Sequence, residues 1–176
     1  MTQDVSPAQL QGRGQARDAA QTGVPWLRSL RRYFAIILGG NLVWEILHLP
    51  LYTIWTMGTL KEQAFAVGHC TLGDLLIAGS TLMLALLLVG DPAWPRRHFW
   101  PVVLLTLIFG VAYTAFSEWL NVVVRASWAY SESMPVIRLF GNNFGLSPLL
   151  QWVVVPAAAF TFAKGAADSR AKEAPS

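Results

Sequence analysis

The chain has 176 residues, of which 54% are hydrophobic and only 13% charged, with a formal net charge of +3 at pH 7. A soluble domain carries roughly a quarter charged residues, so this composition excludes an ordinary soluble domain and points to one membrane bundle with tails. The basic residues stand at segment ends and in short loops rather than along one stripe, which argues against nucleic acid as a partner.

Residues 1–27 are rich in Gln, Ala, Ser and Gly, with scattered charge and no apolar period. They read as a flexible cytoplasmic tail, too polar for a cleaved signal peptide. The first apolar segment follows, roughly Tyr33 to Tyr52. It contains "NLVWEILHLPLY", with Asn41, Glu45 and His48 inside an otherwise greasy stretch. Glu45 and His48 are one turn apart and share a helix face. Pro50 loosens backbone hydrogen bonding just beyond them.

A partly polar connection, about residues 53–70, leads to a second apolar segment from Thr71 to Gly90. His69, Cys70 and Asp74 stand at its opening. In the first turn of a helix Asp74 would be favoured by the helix dipole. The next loop, "DPAWPRRH", is short and turn-like. The third segment runs from Pro101 to Val124, with Glu118 and Asn121 on one face near its end. "RASWAYSESMPVIRLFG" then carries Trp128, Tyr130, Met134 and Phe140 and is expected to fold over the mouth of a bundle. The fourth segment, Leu146 to Phe162, begins among Asn142, Asn143, Ser147 and Gln151. The single cysteine, Cys70, cannot form an intrachain disulfide and leaves the redox compartment unassigned.

Each segment is close to the roughly 20 residues a helix needs to cross a bilayer, where the backbone must satisfy itself. The fold expected is all-α and integral to the membrane. It is a bundle of four transmembrane helices over residues 28–164, with a second cytoplasmic tail at 165–176. Ten basic residues (Arg13, Arg17, Arg28, Arg31, Arg32, Arg96, Arg97, Lys164, Arg170 and Lys172) fall on one side of this arrangement. Only Lys61, Arg125 and Arg138 fall on the other. The positive-inside rule puts both termini in the cytoplasm, with a bacterial inner membrane the expected location. "EILH" at 45–48 matches "EWLN" at 118–121, and "LGDLL" at 72–76 resembles "LSPLL" at 146–150. A parallel duplication of a two-helix hairpin accounts for the pattern.

An ionisable side chain within a bilayer costs about 2.5–3.5 kcal/mol on insertion scales, so such residues face the bundle interior and have a partner or a task. Here they recur at one level, in the half of the membrane opposite the termini, and imply an outward-facing polar pocket. The reading put first is an enzyme doing acid/base chemistry, isomerase- or hydratase-like, on a membrane lipid or lipophilic small molecule. Its catalytic residues would be Glu45, His48, Asp74, Glu118 and Asn121. A second reading is an intramembrane zinc or iron site drawn from Glu45, His48, His69, Cys70, Asp74 and Glu118, since Glu-x-x-His on a bundle helix supplies two ligands. The paired motif that di-iron sites require is absent, because the second copy reads Glu-x-x-Asn. A third reading is a non-catalytic subunit or assembly factor; a homo-oligomer or a membrane-complex partner is compatible with any of them.

Overall fold

The computed structural model describes residues 24–91, 94–95 and 97–171. The expected N-terminal tail up to residue 23, Arg96 and the last residues from 172 lie outside that range. Helix α1 spans Val24–His48 and runs into a 3-10 turn at Leu49–Leu51, where Pro50 interrupts the α pattern. A short helix α2 (Ile54–Met57) leads into α3 (Leu60–Val89). Helix α4 (Phe99–Glu118) continues as a π-helical stretch, Trp119–Val124. Strands β1 (Val136–Leu139) and β2 (Asn142–Gly145) form an antiparallel hairpin, and α5 (Leu146–Ala171) closes the fold.

Among the described residues, four helical stretches are long and apolar enough to cross a membrane: Trp26–Leu51, Leu60–Val89, Phe99–Val124 and Leu146–Lys164. Their outward faces carry large apolar side chains such as Leu47, Leu72, Leu87 and Trp100, all more than half exposed. An apolar surface of that extent belongs in lipid rather than water. The chain is an integral membrane protein built as a helical bundle.

α1 packs on α5 and α3, and α4 packs on α3 and α5, so the helices form a ring of four. Small residues set two of the contacts. A Cβ on Gly40 of α1 would stand 2.8 Å from Cγ1 of Val155 on α5, and one on Gly110 of α4 would run into the Trp152 ring. Close approach at glycine is how membrane helices gain packing where no hydrophobic drive exists between them. One stripe of each helix faces inward. On α1 it is Ser29, Tyr33, Ile37, Asn41, Glu45 and His48. The stripe changes character halfway. Near the helix ends that lie with the termini, here the proximal end, it is Tyr33, Ile37, Leu82, Ala85, Val102 and Phe160. Toward the opposite, distal end it is Asn41, Glu45, His48, Asp74, Thr114, Glu118 and Gln151.

The distal cover is more structured than the sequence implies. The expected interfacial segment contains the β1–β2 hairpin, so the fold is not purely helical. Its two-residue turn, Phe140-Gly141, has positive φ at both positions, as a type I′ turn requires. The two distal connections are laced together. Thr53 N–H donates to the Ala129 carbonyl, Ser131 N–H donates to the Leu51 carbonyl, and Tyr52 pairs with Tyr130 in a β-bridge. Trp128 and Tyr130 are half-buried, as a covering segment demands.

Helix α3 corrects a second expectation. It begins at Leu60, not Thr71, so His69, Cys70 and Asp74 lie well inside it. The start is fixed by a capping box: Thr59 Oγ1 accepts from Glu62 N–H, and the Glu62 carboxylate accepts from Thr59 N–H. Asp74 is about four turns beyond this cap, too far to gain from the helix dipole.

Candidate functional site

The inward turn of the stripe at Asn41 brings polar groups from three helices onto one amide. Gln151, on α5 and 2% exposed, points Nε2 at three acceptors: Asn41 Oδ1 at 2.9 Å, Glu45 Oε1 at 3.1 Å and Asp74 Oδ2 at 2.9 Å. Two N–H donors are thus shared among three oxygens. Glu45 and Asp74 thus accept from one amide nitrogen, which brings the two carboxyls together in one buried cluster.

His48 connects this pair to α5. Its Nε2 is 3.1 Å from Glu45 Oε2 and its Nδ1 is 3.1 Å from Ser147 Oγ, while Trp44 Nε1–H donates to the same Oγ at 3.2 Å. One arrangement satisfies every group. The Ser147 hydroxyl accepts from Trp44 and donates to His48 Nδ1, and His48 Nε2–H donates to Glu45. This places a proton on Nε2 of His48, an assignment made from the network.

Glu118 stands apart from that chain. Nothing on its own helix answers it; its partners come from the distal connections. Tyr52 Oη donates to it at 3.4 Å, and Tyr130 Oη donates through a short hydrogen bond. Tyr130 in turn accepts from Gly145 N–H at 2.9 Å, which ties the hairpin to the carboxylate. Burial first, and then the adjacent Glu118, raise both phenols above the usual tyrosine range, so they stay protonated donors.

Glu45, His48, Asp74, Glu118 and Asn121 all line one cavity of about 920 Å³, as do His69 and Cys70. The four ionisable residues expected to converge do so, each no more than 9% exposed. Asn121 is the weakest of the set, because its Nδ2 donates to the carbonyl and hydroxyl of Ser117 on its own helix. His69 is exposed at the rim and stacks on Phe65. The expected metal shell is not assembled: among the described residues no three His, Cys, Asp or Glu side chains are placed to hold one ion. Sequence reasoning passed over Tyr52, Tyr130 and Trp152. Only the spacing of Tyr52, one turn past His48, hinted at its place.

No protein-family model matches the chain, and no curated protein or solved structure is detectably similar to it.

Proposed function

We propose that the protein is an intramembrane enzyme that moves protons on a lipophilic substrate, in the manner of an isomerase or a hydratase. The observation that carries this reading is the convergence of Glu45, His48, Asp74 and Glu118 on one cavity whose other walls include Leu49, Ile54, Phe65 and Ile77. Packing alone asks for no such collection. Two hydrogen-bonding patterns divide the labour. The Glu45–Asp74 pair holds a proton and acts as the acid toward an unsaturated carbon. Glu118, which accepts from two phenols, is the anionic partner; it stabilises positive charge on that carbon and takes a proton from the neighbouring carbon or from an attacking water. His48 and Ser147 hold Glu45 in place, and the proton that Glu118 takes up leaves to the distal aqueous phase, from which the Glu45–Asp74 pair is reloaded.

Arg28, Arg31, Arg32, Arg97 and Lys164 flank the proximal end, against Lys61, Arg125 and Arg138 at the distal end. This bias supports a cytoplasmic proximal side at an inner membrane, with the cavity toward the outside. A duplicated two-helix hairpin accounts for the matched burial of Glu45 and Glu118.

The test is a comparison of apolar lipid extracts from cells expressing the wild-type chain and the E118Q variant. Chromatography with mass spectrometry should reveal a lipid converted only by the wild type, either to an isomer of equal mass or to a product heavier by one water. Loss of a positioned acid or base should slow that conversion roughly 10²–10⁴-fold. Identical extracts from wild type, E118Q and empty cells would leave the carboxyls a purely structural role.

A further inference from the structure

The cavity is longer than the acid cluster needs. Its wall on α3 follows one helix face from Glu62 to Ile77 by way of His69 and Gly73. At 1.5 Å per residue that wall is about 22 Å long. Tyr113, Glu118 and Asn121 of α4 form the facing wall. The rim is not covered by protein. Leu76, about midway along α3, is 72% exposed, and Tyr113, about midway along its span, is 49% exposed. Between these walls a Cβ on Gly73 would meet nothing within 4 Å. The opening therefore lies between α3 and α4 at the depth of the bilayer interior.

The distal end of the same cavity is rich in donors. Lys61 and Arg125 line it from opposite walls, and neither has a carboxylate within ion-pair distance among the described residues. Trp128 lines it too, with its indole N–H buried and without an acceptor among the described residues. Glu62, the acid nearest in sequence, is bound up in the Thr59 cap. Deeper in, the Thr114 hydroxyl is also buried without a partner among the described residues, and Thr114 is only 6% exposed. Orphaned buried donors in a cavity wall call for a bound acceptor.

We infer that α3 and α4 frame a lateral slot that takes one long-chain anionic lipid lengthwise from the bilayer, its head group at Lys61, Arg125 and Trp128 and its chain laid along Glu118, Glu45 and Asp74. The inference rests on the lipid-handling reading above and specifies its substrate: a carboxylate or phosphate at the head, with the reacting carbon some way down the chain. Seven residues separate Arg125 from Glu118, which sets that carbon about 10 Å from the head group.

Binding is tested separately from turnover. The full chain in lipid nanodiscs is photolabelled with a diazirine-bearing long-chain fatty acid, the matching alkyl phosphate and the matching alcohol, and labelled peptides are located by mass spectrometry. The anionic probes should mark peptides covering 61–77 and 113–128 whether or not the lipid extracts show conversion. G73F should reduce this labelling about tenfold by filling the slot, and the K61Q/R125Q double variant should reduce it about as much for the anionic probes alone, the loss expected of a charge-assisted contact. A preference for one anionic probe identifies the head group. Equal labelling by the alcohol would overturn the anionic head, and label spread evenly over the lipid faces of α1 and α5, unmoved by G73F, would overturn the slot. A nitroxide on Cys70, the single cysteine, gives a measurement that needs no variant: oxygen should broaden its spectrum more than a water-soluble nickel chelate, and the reverse order would show a cavity open to water instead.

Discussion

Gln151 is a small residue to carry so much of the site. Its amide is the shared donor for Asn41, Glu45 and Asp74, so removing it strands three buried acceptors on two helices. Q151L should lower stability by about 1–3 kcal/mol, read as thermal unfolding in detergent, because unsatisfied buried groups cost more than the hydrogen bonds themselves. Q151E, which offers no second donor, should do no better. Tyr130 gives a pH-dependent signature. Its phenol is held protonated in the folded chain by burial and by Glu118. A group with a raised folded pKa contributes its full share below its unfolded value and loses it as pH climbs, so the window opens near the ordinary tyrosine value of about 10. Unfolding midpoints of the wild type should therefore fall more steeply above that pH than those of Y130F; parallel curves would remove Tyr130 from the latch. The carboxyls and His48 were legible in the sequence because charge is costly in an apolar segment. Their partners were not. Tyrosine, tryptophan and threonine are ordinary at membrane interfaces, and nothing local shows that Tyr52 and Tyr130, distant in sequence, meet at Glu118.

The elements repeat this division. The four apolar runs announced four helices, since a bilayer leaves the backbone few alternatives. The start of α3 was missed although its signal was present: Thr59 followed three residues later by Glu62 is a capping box. Residues 53–70 read as a partly polar connection, whereas on α3 Gly68 is exposed and His69 stands at the cavity rim. The hairpin was hidden because its turn uses Phe140 where Asn or Asp is usual. Glycine carries the packing between elements. G110A should push the Trp152 ring and cost about 1–3 kcal/mol, with loss of folded monomer in size-exclusion profiles as the readout. At Gly145 an added Cβ would stand 3.1 Å from the Tyr130 ring. G145A should therefore mimic Y130F in its alkaline behaviour, and a wild-type profile would show that the hairpin is not tied to Glu118.

At the scale of the molecule, an even number of spans returns the chain to the side where it began. Reporters inserted between α2 and α3 and fused after α5 should lie on opposite sides, the second in the cytoplasm; agreement between them would break the four-span arrangement. The proximal half is filled by Tyr33, Ile37, Leu82, Val102 and Phe160, and the hydroxyls of Ser29, Thr81 and Thr106 there are turned onto backbone carbonyls. Packing of that kind leaves few polar groups to carry a proton across that half. On the proposed function, the carboxyls beyond it would resemble an electrode dipped from one face only, fed with protons from the distal phase and screened from the other. In sealed vesicles, titrating the distal solution should shift the rate of lipid conversion, while titrating the proximal solution or discharging the membrane potential should leave it where it was. A rate that followed both solutions would mean that the insulation leaks.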